Sequence, residues 1–133
     1  MVDSEVIYPG LDDHPHHALL KSMSNNDYGF GGILCVDMGT EERANRLMHH
    51  LQNGTQFGLM AVSLGYYETL MSCSGSSTSS ELSVHEREVA GIPPGLIRMS
   101  IGYSGSLEQR WLQFERALVR MQQNANLFGS KAH

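Results

Sequence analysis

The sequence predicts an α+β domain: about four strands in a mostly antiparallel sheet, with helices on one face. Three observations carry this. Short apolar runs are closed by glycine- and proline-rich turns. The helical stretches between them open on capping residues. The connections are short, as in one layered domain. A chain of 133 residues is the size of one domain and can bury a core without disulfide or metal staples.

In order, residues 6–8 form a short strand stopped by Pro9-Gly10, and His14 to Met23 reads as a short helix. Asn25-Asn26-Asp27 with Gly29, Gly31 and Gly32 marks a turn region that feeds the strand run Ile33 to Met38. Thr40 is an N-cap, with Glu41 and Glu42 in the first turn, where the helix dipole favours anions. Ala44, Leu47, Met48 and Leu51 then share one helical face, and Asn53-Gly54 closes the helix. Phe57 to Ser63 and Glu68 to Cys73 read as strands. Ser83-x-x-Glu86 is a capping box for a helix ending near Gly91. Pro93-Pro94-Gly95 turns the chain into a last strand, Leu96 to Ile101. Ser106-x-x-Gln109 opens a long helix whose apolar stripe is Leu107, Trp111, Phe114, Leu118 and Met121. The domain is expected over residues 1–123, with a frayed tail over 124–133.

Composition narrows the function classes. Hydrophobic residues at 41% against 17% charged argue for a folded chain. Nine Lys plus Arg against 14 Asp plus Glu, a net charge of −5, is the wrong balance for a nucleic-acid partner. No apolar run approaches the ~20 residues of a membrane helix. The start, Met1-Val2-Asp3-Ser4-Glu5, lacks the basic-then-apolar pattern of a signal peptide. Cys35 and Cys73 are too few for a disulfide framework and read as reduced, buried thiols of an intracellular, cytoplasmic protein.

Arg98 is the residue whose address calls for an explanation. In an extended Leu96 to Ile101 the side chains alternate. Ile97, Met99 and Ile101 form an apolar face, which leaves Arg98 between Leu96 and Ser100 on the other. A planar guanidinium grips a carboxylate through two parallel hydrogen bonds, so Arg98 is a candidate clamp for a small acid. The rival reading is a salt bridge to an internal carboxylate such as Asp37 or Glu68. Ser63-Leu64-Gly65 ends a strand run and opens a turn; its amides and hydroxyl either face a ligand or merely terminate the strand.

Other motifs carry less. His14-Pro15-His16-His17 and His49-His50 lack metal-ligand spacing and read as surface or capping histidines. Tyr28-Gly29-Phe30-Gly31-Gly32 precedes a strand, whereas a dinucleotide fingerprint follows one. The serine-rich stretch from Ser72 to Ser83 has no nucleophile elbow and reads as a surface or site loop. Met23, Met38, Met48, Met60 and Met99 read as core filler.

Four segments together resemble the C-terminal domain of the Cys/Met-metabolism family of pyridoxal-phosphate enzymes. They are Tyr8-Pro9-Gly10-Leu11 with His14-Pro15-His16-His17 and Lys21-Ser22-Met23; Phe30-Gly31-Gly32-Ile33-Leu34; Ala61-Val62-Ser63-Leu64-Gly65 with Glu68-Thr69-Leu70; and Gly95-Leu96-Ile97-Arg98-Met99-Ser100-Ile101-Gly102 before a long helix. Their order and spacing run from about Val6 to Met121. Tyr66-Tyr67, the Ser72-Cys73-Ser74-Gly75 loop and Tyr103 look most like the plant methionine γ-lyase branch.

The resemblance implies the small C-terminal domain of fold-type I enzymes. It implies substrate-binding roles for Arg98 on the α-carboxylate, Ser63 and Leu64 beside the substrate, and Thr78 in place of a loop hydroxyl. It also implies a PLP-dependent carbon–sulfur lyase of sulfur amino-acid metabolism, partnered by a PLP-binding domain and by family subunits that assemble as a homotetramer. Where the family has Pro and His in the serine loop, this chain has Ser74 and Ser79; the acidic pair after the arginine strand is replaced in Gly102-Tyr103-Ser104-Gly105. These departures bear on the side chain a substrate carries, less on the carboxylate grip.

The two lysines, Lys21 and Lys131, do not fall where the family's Schiff-base lysine lies, so pyridoxal 5'-phosphate is expected to be held outside this chain, and the chain alone is expected to be inactive. No catalytic, cofactor-binding or metal-binding residue is expected within it. The alternative expectation is a non-catalytic amino-acid-binding or subunit-pairing module derived from the family. A domain of this kind is expected to expose an apolar patch where its partner packs.

Overall fold

The computed structural model describes residues 4–75 and 81–129. The strands are β1 (Glu5–Ile7), β2 (Ile33–Asp37), β3 (Leu59–Met60), β4 (Leu70–Cys73) and β5 (Leu96–Ser100). The helices are α1 (His17–Met23), α2 (Glu41–His49), α3 (Val84–Val89) and α4 (Leu107–Gly129). The strands make one sheet in the order β1-β2-β5-β4-β3. Every pairing is antiparallel except that of β3 with β4, which is parallel. The α+β class stands; the sheet has five strands rather than about four.

The strong local signals form as expected. The Thr40 hydroxyl accepts from Arg43 N, satisfying an orphan amide of the first turn of α2. Ala44, Leu47, Met48 and Leu51 are all buried. α2 runs on into a π-helical turn, His50–Gly54, so the helical run ends at Asn53-Gly54 as expected, closed by Thr55 N donating to His50 O at 3.0 Å. Ser83 and Glu86 complete a reciprocal capping box at α3. The Ser106 hydroxyl accepts from Gln109 N at 3.1 Å at the start of α4.

The core lies between one sheet face and α2, its π turn and α4. Val36, Met71, Cys73, Ile97 and Met99 come from the sheet; Leu47, Met48, Leu51, Ala117 and Met121 come from the helices. The two cysteines differ in burial, Cys73 buried and Cys35 half-buried, and no disulfide joins them. Among the described residues, no helix is long and apolar enough to cross a membrane.

Four expectations need correction. The helix predicted from His14 begins at His17, because successive turns precede it: Leu11 N to Tyr8 O, His14 N to Leu11 O and His17 N to His14 O. The strand predicted over 57–63 shrinks to two residues. Leu59 N and Ala61 N bond to Thr69 O and Met71 O, after which the chain leaves β4. The stripe of α4 is rotated at its start: Leu107 and Trp111 are 81% and 60% exposed, and burial begins only at Phe114, Ala117 and Met121. The methionines also divide. Met38, Met48 and Met99 are buried, whereas Met23 and Met60 are exposed, because neither α1 nor the edge strand β3 is covered.

Candidate functional site

The side chains of β5 alternate as predicted, and the ladder decides what meets Arg98. Ile97 and Met99 enter the core. On the opposite face Arg98 is flanked by Cys35 of β2 and Ser72 of β4, its cross-strand partners. Cys35 in turn pairs with Ile7 of β1. A row Ile7–Cys35–Arg98–Ser72 therefore crosses the sheet at right angles to the strands. Ser100, two residues along β5, shares that face.

The segment after β3 is tied over this face at three points. Arg98 Nη2 donates to Val62 O at 2.7 Å and to Ser63 O at 3.5 Å. Gly65 N donates to Ser100 Oγ at 3.0 Å. Tyr67 O accepts from Tyr103 N and Ser104 N. Gly65 takes φ +71°, a conformation cheap only for glycine. Gly102 allows the last tie: a Cβ there would collide with the backbone of Tyr67, Glu68 and Thr69. Val62, Ser63, Leu64, Tyr66 and Tyr67 are exposed, so the tied segment forms a rim beside Arg98. The Tyr66 and Tyr67 rings lie 4.3 Å apart, and the hydrogen bond to Tyr67, with burial and the nearby Glu68 adding, raises the Tyr66 phenol.

The internal salt-bridge reading of Arg98 is not what forms. Glu68 pairs with Arg110 at 3.3 Å, and Asp37 Oδ1 accepts from Gly39 N at 2.9 Å. Among the described residues Arg98 has no carboxylate partner. Its Nε is buried without a hydrogen bond, as is the Ser72 hydroxyl. Each such orphan costs about 1–3 kcal/mol in a folded protein, and one that persists calls for an explanation. Burial pushes the Cys35 thiol up, and the Arg98 charge pulls it part of the way back.

Of the residues singled out in the sequence, Arg98, Ser63 and Leu64 are brought together here; Thr78 lies outside the described residues. Cys35, Ser72 and the Val62 carbonyl were not foreseen. Ser72 carried a signal, a polar residue alternating between Met71 and Cys73, but reading it required knowing which strand lies beside β4. The histidines are used locally. His17 Nδ1 bonds with Pro9 O at 2.8 Å, its ring stacks on Phe30, and it lies 3.3 Å from Asp12. Among the described residues no cluster of His, Cys, Asp and Glu has metal-ligand geometry.

Two cavities lie near this region. One of about 210 Å³, where the short β3 ends beside β4 and α2, is lined by Met48, Met60, Val62, Met71 and Ser72. A larger one, about 400 Å³, is lined by Gln52, Gln56, Glu68, Arg110 and Gln113. The guanidinium in the larger cavity is committed on every nitrogen, to Ser104, Gln56, Gln113 and Glu68. Arg98 differs, because its outer nitrogen Nη1 is not engaged by any described residue.

The arrangement can offer an acid group Nη1 and, once the Val62 carbonyl is displaced, Nη2. Of the two lysines, Lys131 lies outside the described residues. Lys21 is exposed on α1, a helix with no buried residue, and a Schiff-base amine needs desolvation or a neighbouring cation to be activated.

Comparison with known proteins gives a consistent picture. The model of the family described as Cys/Met metabolism PLP-dependent enzyme matches residues 2–108. The chain is 69% identical to a methionine gamma-lyase of Arabidopsis thaliana over 88% of its own length and 26% of that protein's. It is 38% identical to a cystathionine gamma-lyase of Bacillus subtilis (strain 168), over 71% of this chain and 23% of the relative. The crystal structure of cystathionine gamma synthase from Xanthomonas oryzae pv. oryzae in complex with cystathionine superposes with a TM-score of 0.74 at 32% identity, covering 90% of this chain and 29% of that one. The chain thus spans about a quarter of the length of the curated relatives it matches.

Proposed function

The chain belongs to the Cys/Met metabolism family of PLP-dependent enzymes, and we propose that it is the C-terminal substrate domain, over residues 1–123, of a methionine γ-lyase-like carbon–sulfur lyase. In this reading Arg98 holds the α-carboxylate of a sulfur amino acid, with Ser63, Leu64 and Thr78 beside the substrate. The observation that carries it is the guanidinium of Arg98: no described carboxylate neutralises it, and an exposed, tied segment frames it.

Each hydrogen bond from the guanidinium to a carboxylate is worth about 1.5–3 kcal/mol where water is excluded. Fork-to-fork geometry adds orientation, fixing the α-carbon relative to the sheet. Pyridoxal 5'-phosphate would supply the electron sink for elimination. In this reading its covalent site lies in the rest of the enzyme, and this chain alone is inactive. Leu107 and Trp111, one turn apart and exposed on α4, with Tyr103 nearby, are the apolar surface expected where a partner domain or subunit packs.

Calorimetry tests the reading. L-methionine should bind the chain, and Arg98→Ala should weaken that binding at least roughly tenfold, the equivalent of one lost charge-assisted bond. Equal affinity of the two proteins removes the clamp. Incubating the chain with pyridoxal phosphate and methionine should release no thiol, ammonia or 2-oxo acid; release would place the catalytic lysine within this chain.

A further inference from the structure

Resting on the reading of Arg98 as a carboxylate clamp, we propose that Ser72 is a positioning residue for it: when a carboxylate takes Nη1 and Nη2, the guanidinium leaves the Val62 and Ser63 carbonyls and its Nε–H donates to Ser72 Oγ. Ser72 is the cross-strand partner of Arg98 on the same sheet face, at a separation such pairs bridge. Both atoms are buried, and neither has a hydrogen-bond partner among the described residues. One is a donor and the other accepts, so each can satisfy the other.

The present orientation explains why they do not meet. A guanidinium is a rigid plane, so the 2.7 Å bond from Nη2 to Val62 O also fixes where Nε–H points. The contact to Ser63 O, at 3.5 Å, is at the limit of a hydrogen bond. Val62 and Ser63 lie in an exposed segment that can yield. Ser72 cannot: it is 5% exposed, in β4, beside the central strand of the sheet. Cys35, on the other flank, is a poor substitute, because a thiol is a weak acceptor. A carboxylate that displaces the carbonyls therefore costs one bond, and the turn onto Ser72 restores one.

The test is nitrogen-15 NMR of the full chain, following the arginine Nε–Hε signals during titration with L-methionine and assigning Arg98 by its loss in Arg98→Lys. Methionine should shift the Arg98 Nε–Hε signal and slow its exchange with water roughly tenfold, the factor for one added hydrogen bond. Ser72→Ala should abolish that response, keep the response at Nη, and weaken methionine binding roughly tenfold; Ser72→Thr should restore both.

Ser72→Ala should not lower the stability of the ligand-free chain, because the hydroxyl it removes is unpaired there; a purely structural serine would show a loss. If Nη responds while Nε does not, or if Nε responds equally in Ser72→Ala, the role of Ser72 is overturned and the clamp stands. If no Arg98 nitrogen responds and Arg98→Ala binds methionine as well as the parent, the clamp reading falls and this inference falls with it.

Discussion

Arg98, at the centre of β5, donates to the carbonyl oxygen of Val62, 36 residues earlier in the chain, at 2.7 Å. β3 pairs with β4 for only two residues before the chain reaches this bond. Arg98 Nη2 is thereby held to a segment, Val62 to Tyr67, that is exposed.

Substitution of Arg98 separates charge from geometry. Arg98→Lys keeps the charge but loses the fork, so methionine affinity should fall between those of the parent and Arg98→Ala in calorimetry. Arg98→Ala should also cost roughly 1–2 kcal/mol in urea unfolding, through the lost bond to Val62. A lysine variant that binds as well as the parent would mean that the fork is not used.

Cys35 reports the same charge by titration. Burial raises the thiol above its ordinary value and Arg98 partly offsets that. Arg98→Met removes the charge while keeping most of the side-chain bulk beside Cys35, so the pH midpoint for alkylation of Cys35, followed by mass spectrometry, should move upward. A folded value above the unfolded one means the neutral thiol is the favoured form. Its contribution to stability is complete below the unfolded value and lost as pH rises through the folded one, so this effect belongs to the alkaline side only. A downward move of the midpoint would contradict the placement of Arg98 beside Cys35.

Arg110 ties the start of α4 to the segment after Tyr67. It donates to Ser104 O, Ser104 Oγ, Gln113 Oε1, Gln56 O and Glu68 Oε2. Its side chain is 20% exposed, so water screens the ion pair only in part. Arg110→Ala should destabilise by about 2–3 kcal/mol in denaturant melts, more than an exposed ion pair would. A change under 0.5 kcal/mol would rank it with ordinary surface pairs.

Ser100→Ala frees Gly65 N at the other tie. The hydroxyl is buried and accepts from that amide, so its loss should cost roughly 1 kcal/mol. Hydrogen exchange at Gly65 should accelerate while that at Ile97 stays slow. Unchanged exchange at Gly65 would show that the tie does not order the segment.

The capping box at α3 gives an acid-side effect. Hydrogen bonds to the side chain and backbone of Ser83 lower the Glu86 carboxyl below its ordinary value. That support is present above the unfolded value and is lost as pH falls through the folded one. Ser83→Ala should cost about 1 kcal/mol at neutral pH, as N-cap losses do. It should also flatten the acid dependence of stability; an acid limb identical to the parent's would remove Glu86 from the account.

Features that depend only on near neighbours along the chain were legible before any fold was known. The caps at Thr40, Ser83 and Ser106 form because the amides they satisfy lie three residues away. The Ala44–Leu51 face is buried because helical spacing lines it up before any partner arrives. The alternation that set Arg98 apart from Ile97 and Met99 is a property of extended backbone alone, and the motif order was sufficient to reach the family.

Tertiary structure decided everything that depends on strand order and long-range contact. Arg98 rather than Met71 holds the carbonyl of Val62. Glu68 goes to Arg110, Ser72 lies opposite Arg98, and Leu107 and Trp111 turn outward although their spacing matches the buried stripe. The reason is range: an i to i+4 pattern cannot encode which of two arginines a glutamate meets across 42 residues. That choice is made only when β4 and β5 pair and α4 docks over the π turn.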